Sequence, residues 1–342
     1  MSKNLLAGSL ILVALVALAV FGAGFQAFSP GQRTLMFAHN VCPGQWADRF
    51  ERALSTGMPL VIELDLRWVP NPKTGKNECL LCVTPRSTNI TGNEPTLKSF
   101  FFERVRPIVE KALKENNKKN WPLIMMHMDI SNDTPEHLEF ISKQIGEYEN
   151  WLTTAVKTKN PADRPPLDVK PLMILSYSYI VDNKVEYFYN RLPIGGKILV
   201  FGTAKLSMPP GEGLTPQQIK GLRLPMKPEE LVKEPASNYR RWWHNSWHYI
   251  EGDPYTGEWT PEKEARLKAF VTYGHKLGYL VSFYCLNGID PEAGKAQGWG
   301  PDYNFGSLQE ATIRWKAAAK AGVDFVSTDQ FEEVAKILKS GR

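Results

Sequence analysis

Strand-like and helix-like segments alternate along this chain from Leu35 to Leu338, and that alternation limits the fold more than any other feature of the sequence. Strand candidates are Arg33–Asn40, Met58–Val69, Glu78–Val83, Trp121–Ile130, Pro171–Ile180, Lys197–Thr203, Tyr279–Asn287 and Val323–Asp329. Between and after them run amphipathic or well-capped segments. Asp48–Gly57 ends on a glycine suited to a helix C-terminus, and Thr134–Pro135 supplies an N-cap followed by proline at the first helical position. Eight such strands predict an α/β fold, a closed (β/α)8 TIM barrel. A doubly wound open sheet competes with it, but its first strand is usually followed by a glycine-rich turn, and AHNVCPG is not one. The Pro-rich stretch from Met208 to Tyr239 reads as a long loop inserted in the second half of the barrel.

The other uneven feature is the start. No charged residue stands between Lys3 and Arg33, and LLAGSLILVALVALAVFGAGF is apolar or small throughout. Residues 1–30 therefore read as a cleaved export signal or as a membrane anchor formed by residues 5–28, and residues 31–342 as a single barrel domain. Either reading puts that domain outside the cytoplasm, periplasmic or secreted, or held at the membrane. With no second apolar span, a polytopic membrane protein is excluded. Lys and Arg total 41 against 36 Asp and Glu, a net charge of +5 that no basic block concentrates, so nucleic acid is not an expected partner. Of the cysteines, Cys79 and Cys82 form one C-x-x-C pair. Without a second pair a zinc site has weak support, and a disulfide with open connectivity is the alternative.

In a barrel of this kind chemistry sits where the strands end at their C-termini. Polar residues there are His39-Asn40, Glu63 and Asp65, His127 and Asp129, Asn287, and Asp329. Side chains alternate along a strand, so Glu63 shares a face with Asp65, and His127 with Asp129. Three acids and an amide oxygen make a cage for a hard divalent cation, Ca2+ or Mg2+. Pairing of the acids with interior Arg or Lys is the other account of them, and a half-buried, satisfied imidazole is the other account of His39.

AHN at 38–40, a helix ending at Gly57, VIELDLRW at 61–68 and the closing AGVDFVSTDQFEEV at 321–334 resemble the phospholipase C-like phosphodiesterase superfamily in order and spacing. That resemblance implies a TIM barrel acting on phosphodiesters. It assigns His39 to stabilising the phosphorane-like transition state and Asn40, Glu63, Asp65 and Asp129 to a metal, with Ca2+ ahead of Mg2+. Glycerophosphodiester phosphodiesterases usually carry Arg where Asn40 stands, so the His-Asn form tilts toward the phospholipase branch. One departure stands out. The superfamily's second catalytic His, in a segment like LLVGHD, is replaced by Thr84 in LLCVTPRS, and Thr is no general acid or base near neutral pH. His127, on the interior face two residues before Asp129, is the candidate substitute; a deeper, purely structural place for it is the alternative.

Substrate-binding candidates are Arg67, one alternation beyond Asp65, and Arg240, Arg241 and Trp243 of the aromatic segment YRRWWHNSWHYIEG. The arginines suit phosphate and the tryptophan a headgroup or sugar ring, against a plainer reading as a loop packed on the barrel rim. His244 and His248 have a helical metal spacing but lack the glutamate that would strengthen it. The expected activity is metal-dependent hydrolysis of a phospholipid or glycerophosphodiester, with peripheral membrane contact. The alternative is a catalytically weakened barrel that binds a lipid headgroup or carbohydrate. A glycoside hydrolase would need two carboxylates ~5–10 Å apart across the mouth, and it gives His39-Asn40 no role.

Overall fold

A computed structural model describes residues 29–42, 48–81, 90–131, 133–177, 183–252, 257–296 and 304–340. The apolar run before Ser29, Cys82 and Thr84 lie outside the described residues. Eight parallel strands form the barrel: β1 (Leu35–Ala38), β2 (Leu60–Pro70), β3 (Ile124–Ile130), β4 (Leu172–Ser176), β5 (Val200–Thr203), β6 (Arg240–Ser246), β7 (Leu280–Tyr284) and β8 (Phe325–Thr328). They pair in chain order. The sheet closes where β1 takes both neighbours, Leu35–Ala38 against Phe325–Thr328 on one side and Phe37 against Val61 on the other.

Helices follow the strands: α1 (Arg49–Ser55), α2 (Glu103–Glu115), α3 (Pro135–Gly146), α4 (Asn183–Asn190), α5 (Pro216–Arg223), α6 (Pro228–Leu231), α7 (His248–Glu251), α8 (Pro261–Lys276), α9 (Pro291–Ala296), α10 (Leu308–Ala321) and α11 (Phe331–Ser340). Local chemistry starts several of them. Thr134, Thr215, Thr260 and Ser307 each accept a backbone N–H from the first turn, and Thr215 forms a reciprocal capping box with Gln218.

Three expectations need correction. Glu78–Val83 is not a barrel stave: Asn77–Leu81 folds back antiparallel on β2, with Trp68 opposite Cys79. The missing stave is β6, inside the aromatic segment that supplies the substrate-binding candidates Arg240, Arg241 and Trp243. Its period of two is hidden because both faces mix polar residues with a tryptophan, Arg240, Trp242, His244 and Ser246 on one and Arg241, Trp243 and Asn245 on the other. The Met208–Tyr239 stretch is likewise more than a loop, since α5 and α6 fill the helix layer after β5.

The barrel encloses an apolar floor that includes Phe37, Val61, Met125, Leu175, Phe201 and Trp242. A second, larger core lies between strands and helices. There the Glu251 side chain of α7 is fully buried, held by Arg314 of α10 at 2.9 Å, Lys263 of α8 at 2.8 Å and the Trp247 indole at 2.7 Å. This buried network ties α7, α8 and α10 together. Removing one member of such a pair strands the other charge. Glu251→Ala should therefore cost roughly 3 kcal/mol in urea denaturation, because Arg314 and Lys263 would each lose a buried carboxylate. A loss below about 1 kcal/mol, within the range of ordinary surface changes, would contradict this role.

Candidate active site

The strand register sets the site. β2 and β3 run in parallel with Glu63 opposite His127 and Asp65 opposite Asp129, so a carboxylate–imidazole pair lies one layer below a pair of carboxylates. His39 continues the inward series Leu35, Phe37 and sits just past the end of β1. Asn40 follows in the left-handed region, φ 54°, which asparagine tolerates better than most residues. That turn aims the Asn40 backbone N–H at Glu63 Oε2, 2.9 Å away.

His39 lies between two acids. Its Nε2 is 3.3 Å from Glu63 Oε2 and its Nδ1 3.4 Å from Asp329 Oδ2. Burial disfavours the imidazolium, but Glu63, Asp329 and Asp65 outweigh it and raise His39 to about 9. Asp329 is fixed in turn. Arg49 donates to it at 2.6 Å and also to the His39 and Asn40 carbonyls, the Asn40 amide donates at 3.2 Å, and Asn287 donates from the end of β7. Burial pushes Asp329 up, yet His39 and Arg49 bring it to about 2. Glu63 is likewise raised by burial, then carried below its ordinary value by His39 and His127.

Asp65 behaves oppositely. Burial, then Glu63 and Asp129 beside it, push its carboxyl well above the usual range, with His39 and a long contact from Cys42 Sγ (3.7 Å) as weak compensation. Negative charge is thus in excess on the β2–β3 side of the mouth. Hard oxygen donors in that state fit a divalent cation in chemistry. They are not drawn together as a finished cage: among the described residues no three His, Cys, Asp or Glu side chains converge on one point. Asn40 turns its amide nitrogen toward Asp329 and His39.

The other expected residues separate. Arg67 stands on β2 one alternation above Asp65, and its buried Nε has no hydrogen-bond partner among the described residues. His127 is 1% exposed, 3.4 Å from Glu63 Oε1 and ringed by Phe37, Trp242, Tyr177 and His244. It lies a layer below the mouth, in contact with Glu63. Arg240 and Arg241 open β6 and so sit at the opposite end of the barrel from His39; Arg240 is consumed by Glu186 and the Thr203 carbonyl. Trp243 points outward, fully buried, and stacks on Phe270 of α8 at 5.5 Å, where Gly274 allows the helix to pass close. Neither the β6 arginines nor Trp243 reaches the mouth, because the segment is a strand whose beginning and outer face they occupy.

Residues missed from sequence complete the interior. His244 faces inward on β6, its Nδ1 2.8 Å from Ser282 Oγ. Burial, then His127 and His39, hold it well below its ordinary value, so it is neutral at pH 7. Tyr177 and Tyr284 bring their hydroxyls within 3.5 Å above it. The signal was the alternation Trp242, His244, Ser246, legible only once the segment is read as a strand. His244 and His248 do not form a helical pair, since His248 belongs to α7 and bonds Ser246 Oγ. Cys42, Cys79 and Cys285 are buried, and Cys79 meets His137 at 3.2 Å.

No protein-family model and no curated protein matches the chain. Among solved structures it is similar to a calcium-dependent phosphoinositol-specific phospholipase C from Pseudomonas sp., at 11% identity and a TM-score of 0.46, over 91% of this chain and 95% of that one. It is also similar to 7,8-dihydropteroate synthase from Vibrio fischeri ES114, at 14% identity and a TM-score of 0.36, over 90% and 91%. A third is Yersinia pestis DHPS, at 12% identity and a TM-score of 0.28, over 92% and 95%. At these identities and scores the likenesses carry no weight for function.

The charge arrangement has a direct test. With its value raised from 6.5 to about 9, His39 protonation adds stability in full below about pH 6.5, and that contribution is lost as pH rises through about 9. In chelator-treated protein the His39 ring should titrate near 9 by NMR, and Asp329→Asn should bring it down by at least about one unit. A parent ring titrating at or below 6.5 would contradict the geometry.

Proposed function

We propose that the chain is a divalent-cation-dependent phosphoric diester hydrolase acting on a phospholipid or glycerophosphodiester outside the cytoplasm. The observation that carries this reading is the side-by-side placement at the mouth of a cationic histidine and an uncompensated acid cluster. His39 is held charged by Glu63 and Asp329, and Asp65 and Asp129 lie on the adjoining strand ends. A phosphodiester transition state gathers charge on its equatorial oxygens and calls for both a proton or hydrogen-bond donor and a cation.

Each residue then has a task. Nε2 of His39 faces Glu63, and once Glu63 turns to the cation it is released to donate to a phosphoryl oxygen, while Asp329, anchored by Arg49, fixes the ring through Nδ1. Arg67 offers its guanidinium to the phosphate. His127 is a positioning residue that supports Glu63 from below. Glu63, Asp65 and Asp129, with Asn40 beside them, would hold the cation; calcium suits carboxylates lacking strict octahedral order better than magnesium does. When bound, the cation would supply Lewis acidity toward the phosphate and lower the pKa of the attacking hydroxyl. The apolar run at residues 5–28 supports export or anchoring, and anchoring would keep the barrel near lipid.

A second reading has its own support: a headgroup-binding barrel with weakened catalysis. His127 and His244 are 1% and 5% exposed, so of these three interior histidines only His39 stands at the mouth, and the sequence has Thr84 where the resemblance expects a second one. Turnover of bis(p-nitrophenyl) phosphate separates the two. Chelator-sensitive hydrolysis is expected, lost by roughly 100-fold or more in Glu63→Ala or Asp65→Ala and reduced about tenfold in kcat/KM in Arg67→Ala. Undiminished turnover in either acid variant would sink the hydrolase reading. Cation-dependent binding of the diester without turnover would favour the second.

A further inference from the structure

The end of the barrel opposite His39 has its own unneutralised charge. Arg241, at the start of β6, and Arg164, in the connection before β4, line a cleft of about 380 Å³ together with Ser29 and the apolar Pro165, Leu167 and Val169. Neither arginine has a carboxylate partner among the described residues. Arg241 makes only long bonds to backbone carbonyls, from Nε to Asn238 at 3.3 Å and from Nη2 to Pro165 at 3.4 Å. Burial, and then Arg164 beside it, lower Arg241 to about 10. Two guanidinium groups facing one cleft, one of them half-buried, repel each other unless an anion lies between them.

We infer that Arg164 and Arg241 form a phosphate-binding site separate from the barrel mouth. Guanidinium forks match phosphate oxygens in geometry, and a pair of them with no internal counter-ion is free to take one. The wall of Pro165, Leu167 and Val169 gives an apolar neighbour to whatever carries the phosphate. Ser29, at the cleft, directly follows the apolar stretch 5–28. A phosphate bound there therefore lies close to where an anchored chain would leave a bilayer. Free phosphate and a lipid phosphate share this chemistry, and the apolar wall favours the lipid.

Isothermal titration of the full-length protein in a neutral detergent, at constant ionic strength, tests the site with two probes: inorganic phosphate and short-chain dihexanoylphosphatidylglycerol. Both should bind, the lipid more tightly, and binding of both at this site should weaken at least about tenfold in Arg241→Gln. Arg164→Gln should have the same direction; Arg164 is exposed, so its replacement leaves folding intact. Loss confined to inorganic phosphate supports the site with a free anion as its occupant. Turnover of a soluble diester at the mouth should be unchanged in Arg164→Gln, which separates this site from the proposed active site. Binding of both probes that is unchanged in both variants, or absent in the parent, would overturn the inference.

Discussion

Glu63 is the point on which the barrel's polar interior turns. Its carboxylate meets the His39 ring, the backbone N–H of Asn40 and the His127 ring at once. A buried carboxylate is costly unless paired, and these partners bring Glu63 below its ordinary value despite burial. Other features follow from that. The left-handed turn at Asn40 is required to deliver its N–H to Glu63. The His39 charge is sustained by Glu63 on one side and Asp329 on the other. The excess of negative charge then falls on Asp65, the next inward residue of the same strand.

This arrangement divides the barrel along its axis. Below the Glu63 layer the interior is apolar and aromatic, which holds the strands in register without polar cost. At the mouth, acids, a charged histidine and Arg67 gather where the strands end. At the far end, Arg241 and Arg164 line one cleft, and neither has an ion-pair partner among the described residues. The mouth thus joins acids to a cationic imidazole, and the far end presents two guanidinium groups to one cleft.

Much of the barrel was legible because its strands and helices announce themselves by period. The inward spacing of Glu63 and Asp65, and of His127 and Asp129, needed only the alternation of a strand. What misled was the segment from Tyr239 to Gly252. Its tryptophans occupy both faces of β6, so no alternation of apolar and polar residues marks it as a stave, and a count of eight was filled by the hairpin strand at Asn77–Leu81 instead. Arg240, Arg241 and Trp243 are offered as substrate ligands by residue type alone, and His244 is hidden with the strand that turns it inward. The role of Asp329 was hidden for a different reason. Its partners Arg49, His39 and Asn287 come from distant parts of the chain and meet only when β1 closes on β8.

The central claim is that Glu63, Asp65 and Asp129 take up a divalent cation beside a charged His39. A crystal structure of the protein grown or soaked in calcium tests it most directly. The account predicts an ion about 2.3–2.6 Å from carboxylate oxygens of Glu63, Asp65 and Asp129, with His39 still paired to Asp329. An interior free of any ion at saturating calcium, or an ion bound away from these carboxylates, would contradict it.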